Sequence, residues 1–330
     1  MASCSFSVPL SGGALRRNPE KILVLVSARI GDVIFATPAL RLLRTVKPVA
    51  RIDVLARSES GVRVLENNPH VNSAKVLPSL KDFHSFSKTY SLIICLHDNQ
   101  VTQEYIESLG DFQSFPLDLH EGHQCEGMVS IVQQAMNYTA NFTDDMHYEL
   151  YPQPDDFSYV QNVLKEQGVV KTDILIGCQC GCHTVAKRGW KFWKPMRHPK
   201  IWPLDRFIEL ERRLSARNSH VRMVLTGSQG EKIFGKKFKK QSSRVINLIG
   251  KTTILQLAAL MKSCRVLITP DTAPLHIACA MNIPIVAFHG PTSPAHTGAY
   301  PHRPHNIVIH KDSVEHITVD DVEQAVLSLL

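Results

Sequence analysis

No stretch of this chain approaches the roughly 20 consecutive apolar residues that a membrane-spanning helix requires, so no such anchor is expected. Aromatic residues are sparse, at 7%, and they are not interleaved with basic residues as a stacking platform for single strands would demand. Nucleic acid is therefore not an expected partner. The two-residue spacing of a structural zinc pair is missing among the eight cysteines. Cys178, Cys180 and Cys182 alternate instead, beside His183, and alternation at a strand end puts all three on one face without any ligand role. No metal is expected. Cys95, Cys264 and Cys279 sit inside apolar runs and read as small core residues. A secretion signal is lacking too, because the basic residues near the N-terminus follow its short apolar patch rather than precede it. Residues 1–20 read as a loose tail, and a cytoplasmic location is expected.

What the chain does have is a basic surplus of +7 and enough length, 330 residues, for two domains. By itself the surplus suits nucleic acid, an anionic lipid surface or an acidic substrate equally well. The densest basic run, Lys236 to Lys240 with Phe238 inside it, reads as a solvated helix end.

Short apolar runs alternate with helical patterns along most of the sequence. Lys21–Val26, Arg51–Ala56, Ser73–Leu77 and Ser91–Leu96 read as strands of a first half. Between the first two, Val33 to Val46 reads as helix, either kinked at Pro38 or restarted there with Thr37 as cap. Tyr151-Pro152-Gln153-Pro154 breaks the pattern. The alternation restarts with strands at Asp173–Gly177, Val221–Thr226, Val245–Leu248, Arg265–Thr269 and Ile283–Phe288. A helix over Thr253–Met261 is capped by Thr252 or Thr253. Such alternation means parallel sheets covered on both faces. The reading is an N-terminal half over 21–155, a C-terminal half over 156–312, and a final amphipathic helix in 313–330 that reaches back to the first half.

The chain is organised around Arg265–Met281, a buried strand, a Pro-Asp-Thr-Ala-Pro turn and a helix. The free N–H groups at such a helix start suit a phosphate or diphosphate. Asp271 in the turn and His276 one helical turn later add groups for a hydroxyl-rich ligand, although Asp271 also reads as a plain N-cap. Ligands of wound sheets lie beyond the carboxyl ends of the strands, so the loops at 27–32, 226–231, 269–274 and 289–294 should share one cleft. Asp32 then lies opposite a diphosphate-sugar site, as a general base for inverting sugar transfer must. It reads equally as a helix cap, and the two roles are compatible. Lys200 suits a phosphate as a compact charge, with Lys187 as a rival in the long segment 178–199.

Four stretches carry a resemblance: the first strand with IGDVIFATPALRLLR at 30–44, KIWPLDRFIEL at 200–210, LTGSQGEK at 225–232, and ITPDTAPLHIACAMNIPIVAFHGPTSP at 268–294. Together they resemble glycosyltransferase family 9, the ADP-heptose heptosyltransferases of lipopolysaccharide core assembly. The resemblance implies a GT-B fold, an α/β architecture of two Rossmann-like domains with acceptor site in the first and donor site in the second. It implies inverting transfer of heptose from ADP-heptose to Kdo or heptose on lipid A, without metal or cofactor, with peripheral contact at the inner membrane. Asp32 would be the general base. Lys200 would hold the phosphates, Glu231 the ribose and Asp271 the heptose hydroxyls. Thr272 and Ala273 would offer N–H groups to the diphosphate, with His276 supporting that turn. Gly31, Thr226, Gly227 and Gly290 lie in the same loops and complete the donor set. Arg57 and Arg63 would meet the acceptor. Ala273 departs from the glycine usual after the Asp-Thr pair. A protein acceptor, another donor sugar and a nucleotide-sugar epimerase of the same fold are the alternatives.

Overall fold

A computed structural model describes residues 20–97, 100–109, 122–142, 146–182 and 199–330. The N-terminal tail, His183 and Lys187 lie outside the described residues. Lys21–Val26 (β1) and Arg51–Ala56 (β2) are exposed only at their first residue. Continuous burial of this kind belongs to parallel strands covered on both faces. They pair in parallel from Lys21↔Arg51 to Val26↔Ala56. Ser73–Val76 (β3) and Leu92–Cys95 (β4) complete a four-stranded sheet in the order β3-β2-β1-β4. The second sheet has six parallel strands: Ile174–Gln179 (β5), Val221–Thr226 (β6), Ile246–Asn247 (β7), Val266–Pro270 (β8), Ile285–His289 (β9) and Asn306–His310 (β10). Their order is β10-β9-β8-β5-β6-β7. The strand expected over Val245–Leu248 is thus shorter at both ends.

The segment after β1 forms two abutting helices, Ile30–Phe35 and Thr37–Val46. The first begins earlier than its apolar pattern suggests. Pro38 sits in the first turn of the second, where its missing N–H has no intrahelical partner to lose. Thr37 does not cap that helix. Its hydroxyl donates to the Ile34 carbonyl at 2.8 Å and accepts from the Glu149 N–H at 3.1 Å, so it ties the break to the chain leaving the first half. Thr253, not Thr252, caps Ile254–Ser263 through a reciprocal pair with Gln256.

One apolar cluster runs through both halves and includes Ile22, Val33, Phe35 and Tyr148 with Leu255, Leu275 and Ile277. At its centre the helix Ile30–Phe35 packs on the helix Ala273–Ala280. Phe35 meets His276 edge-on at 4.5 Å, His123 at 5.3 Å and Tyr148 at 5.6 Å between ring centroids. His123 stacks on Tyr300 at 4.5 Å, and Tyr300 donates to Glu126 at 3.0 Å. Burial pushes the His123 imidazole down to about 4, against weaker opposing pulls from Gly298 and Glu126, so it is neutral at pH 7.

The final helix, Val319–Leu327, does not reach back as expected. Val322 and Val326 are buried in a second cluster with Trp202, Phe207 and Phe288. Arg213 and Arg217, on the helix Leu204–Arg217, grip Glu323 at 3.3 and 2.6 Å. The apolar stripe and the charged positions both find their partners on the second half, so the helix stays there.

Phe35 is 1% exposed. Truncation to alanine removes contacts on both sides of the join, and Phe35→Ala should lower stability by about 3–5 kcal/mol in urea unfolding. Glu149 gives a second prediction. Burial alone would push its carboxyl up, but His70, at 3.2 Å, and Arg41, at 2.7 Å, outweigh that and hold it at about 2, against an ordinary 4.5. Because the folded value is the lower one, this pairing stabilises fully above about pH 4.5 and is lost as pH falls toward 2. Glu149→Gln should therefore be less stable than wild type at pH 7, by an amount of order 1–3 kcal/mol, and the two unfolding curves should converge in acid.

Candidate functional site

The carboxyl ends of β1 and β8 meet where the two halves join. After β1, Ser27 is buried and its hydroxyl donates to Asp32 Oδ2 at 2.7 Å. Arg29, not Asp32, occupies the cap position of the helix that follows. Asp32 lies half-buried in the first turn, where the helix dipole favours a carboxylate. Gly31 is packed against the other half. A Cβ built there would lie 2.9 Å from Cδ2 of His276. Only glycine lets this loop approach so closely, and the contact brings the Asp32 loop to the start of the helix Ala273–Ala280.

Across the join, β8 ends at Pro270, and Thr272 takes the cap position of that helix. Asp271 is therefore not the cap. It is 5% exposed, and its Oδ2 accepts from Lys200 Nζ at 2.7 Å and from the Thr292 hydroxyl at 2.8 Å, with the Thr297 hydroxyl at 3.5 Å. Burial would raise its carboxyl, but Lys200 more than offsets this and holds it below the usual range. Lys200 reaches it because Gly290 lies under the preceding residue. A Cβ at Gly290 would come within 2.7 Å of the Pro199 carbonyl. His276 is buried, and burial pushes its imidazole down to about 3.

A second polar group lies at the carboxyl ends of β5 and β6. Glu231 is 4% exposed. Its Oε2 accepts from the Ser228 amide and hydroxyl, both at 2.7 Å, and its Oε1 from Gln179 Nε2 at 2.8 Å. Thr226 donates to the Gln179 carboxamide oxygen at 3.1 Å. Gly227 opens the turn between them, and its carbonyl accepts from the Gly250 N–H at 2.8 Å. Sequence reasoning missed Gln179, Thr292 and Thr297. Gln179 was hidden between Cys178 and Cys180, although its place at the strand end was the available signal.

Cys178, Cys180 and Cys182 are all buried at this strand end, with Cys178 and Cys180 sulfurs 3.5 Å apart. Burial pushes the Cys180 thiol well up. Among the described residues no group of three or more His, Cys, Asp or Glu side chains is arranged to hold a metal ion. Arg57 follows β2 at the same sheet edge as Asp32. Arg63 lies on the helix Glu59–Val64, where Glu59 and Glu66 already pair with it.

Chemically, the join offers a carboxylate oriented by a hydroxyl on one side. On the other it offers a helix start, a lysine and a buried carboxylate. Groups of these kinds can accept a proton and cradle an anion.

Comparison with known proteins finds relatives of both sequence and fold. Residues 195–326 match the family model described as glycosyltransferase family 9 (heptosyltransferase). Lipopolysaccharide heptosyltransferase 2 of Salmonella typhimurium is 32% identical over 109 residues, a stretch covering 32% of this chain and 31% of that protein. The match to that relative thus spans about a third of its length. Lipopolysaccharide heptosyltransferase 3 of Escherichia coli is 23% identical over 293 residues, 79% of this chain and 81% of that protein. The structure of E. coli ADP-heptose LPS heptosyltransferase II superposes with a TM-score of 0.73 at 22% identity, over 94% of this chain and 98% of that one. The two parallel-sheet halves are the GT-B fold, and residues 195–326 are similar to glycosyltransferase family 9.

Proposed function

We propose that this chain is an inverting glycosyltransferase that moves a heptose from ADP-heptose to Kdo or heptose on lipid A. The single observation that carries the reading is the Gly31–His276 contact, which sets the Asp32 loop against the turn holding Asp271 and Lys200. Residues 21–155 then act as the acceptor half and 156–312 as the donor half.

In this reading the diphosphate rests on the free N–H groups of Thr272 and Ala273, with Lys200 as its cation. Asp271 accepts from heptose hydroxyls, and His276 holds the turn against the other half. Glu231, oriented by Gln179 and Ser228, keeps lone pairs for ribose hydroxyls, beside Thr226 and Gly227. Asp32, oriented by Ser27, removes the proton from the acceptor hydroxyl. That oxygen attacks the anomeric carbon from the face opposite the leaving ADP, so the configuration inverts. The lysine and the helix start stabilise the negative charge that develops on the diphosphate. No step requires a metal or an organic cofactor. Arg57 supports the acidic acceptor at the same edge, whereas the pairing of Arg63 to Glu59 and Glu66 leaves it less charge to offer. No helix among the described residues is long and apolar enough to cross a membrane. A lipid-linked acceptor then calls for peripheral contact at the cytoplasmic face of the inner membrane, which the basic surplus favours.

Asp32→Asn keeps the shape of the side chain and removes its basicity. It should cut kcat about 10²–10⁴-fold while ADP binding, read by calorimetry, is unchanged. A loss under tenfold would reject Asp32 as the base. Lys200→Met should lower kcat/KM for the donor by roughly 10²–10³-fold and leave the acceptor KM alone. Steady-state assays with ADP-, UDP- and GDP-sugars, and composition analysis of lipid A–core from a deletion strain, test the donor and the acceptor. An unaltered heptose content would reject the lipopolysaccharide reading.

A further inference from the structure

His289 ends β9 and is 0% exposed. The strand register pairs Pro270 with Phe288, and the Asp271 N–H donates to the Phe288 carbonyl at 3.1 Å. The next step along both strands sets His289 beside Asp271. Neither ring nitrogen of His289 makes a well-formed hydrogen bond among the described residues. Buried imidazoles almost always have a well-formed partner, and this one departs from that rule beside a carboxylate.

The groups facing it set its charge. Burial keeps it neutral, with Lys200 and His310 adding repulsion, while the Asp271 carboxylate and the Thr292 backbone favour the proton. The ring of His310, on β10, lies 6.5 Å away and is itself held by the Gly290 carbonyl at 3.0 Å. His276, on the neighbouring helix, is a second buried imidazole within electrostatic reach. Lys200 pairs with Asp271 at 2.7 Å, so that ion pair enters the balance.

We propose that His289 is a positioning residue that takes up a proton when an anionic diphosphate enters the site, its imidazolium pairing with Asp271 as Lys200 turns to the phosphates. This rests on the donor-site reading above. Lysine cannot neutralise both a buried carboxylate and a diphosphate in full. Arrival of the phosphates makes the pocket negative, and an imidazole already buried beside the carboxylate is the ready acceptor for a compensating proton from solvent. Asp271 thus keeps its orientation toward the sugar when its first cation leaves.

The test is calorimetric titration of the full chain with ADP at pH 7.5, in PIPES, HEPES and Tris, whose ionisation enthalpies differ. Wild type should take up about 0.5–1 proton per ADP bound. His289→Phe and His289→Gln should take up none, and should bind ADP more weakly by several-fold at pH 6.5, where a proton is cheapest. His310→Gln should retain the uptake. Nitrogen-15 imidazole spectra of wild type give a readout that needs no variant: the His289 signals should move to the imidazolium position on adding ADP. ADP binding without buffer-dependent heat, or uptake lost in His276→Asn but kept in His289→Phe, would overturn the proposal and leave the donor site standing. Absence of any ADP binding would overturn both.

Discussion

The candidate site depends on one close approach, the loop at Gly31 lying on the ring of His276. The two sheets are separately complete, each with its own covering helices. What couples them is the seam in which Phe35, Tyr148 and His123 surround that contact. A side chain at residue 31 would drive the halves apart by pushing on a buried imidazole. The carboxylate at residue 32 would then move away from the turn that follows β8. Glycine here is therefore a spacer whose absence of volume sets the distance between the two reactive edges.

The electrostatics of the seam follow from the same packing. Burial strips His123 and His276 of charge, so the rings serve as apolar, edge-on partners rather than as cations. Three carboxylates are answered by cations: Asp271 by Lys200, Glu149 by Arg41 with His70 beside it, and Glu323 by Arg213 and Arg217. Of these, only the Asp271 pair sits at the sheet ends that face the join. It couples the second sheet to the segment before the helix Leu204–Arg217, and Gly290 makes room for that crossing. Under the proposed function, a donor entering there meets a charge pair that must be divided, which gives binding and pairing a common free energy.

The neighbouring network of Glu231, Ser228, Gln179 and Thr226 is of a different kind. All its members are satisfied within the protein, and it rigidifies the turn after β6. Rigid carboxylates orient ligand hydroxyls better than mobile ones, since less order must be imposed on binding. Glu231 and Asp271 are thus built differently: one is held by neutral donors, the other by a cation as well as by hydroxyls.

Much of the fold was legible in the residues. Lys21–Val26, Arg51–Ala56 and Val221–Thr226 were readable as strands because parallel strands are buried on both faces and appear as unbroken apolar runs. The turn at 270–274 was readable because two prolines and a capping threonine leave a chain little else to do. The break near Pro38 was legible in part, but the role of Thr37 was not, since only Glu149, more than a hundred residues later, gives Thr37 its other partner. The final helix shows the same limit: its apolar stripe determined that it would be buried, and Trp202 and Phe207 decided where. In the candidate site, the sequence determined which residues stand at strand ends, because local periodicity and turn chemistry are short-range. Only tertiary structure decided that Asp271 faces a lysine rather than caps its helix, that Glu231 is engaged on both oxygens, and that His289 lies buried with neither ring nitrogen in a well-formed hydrogen bond among the described residues. Those are outcomes of contacts between segments distant in the chain, and no local pattern carries them.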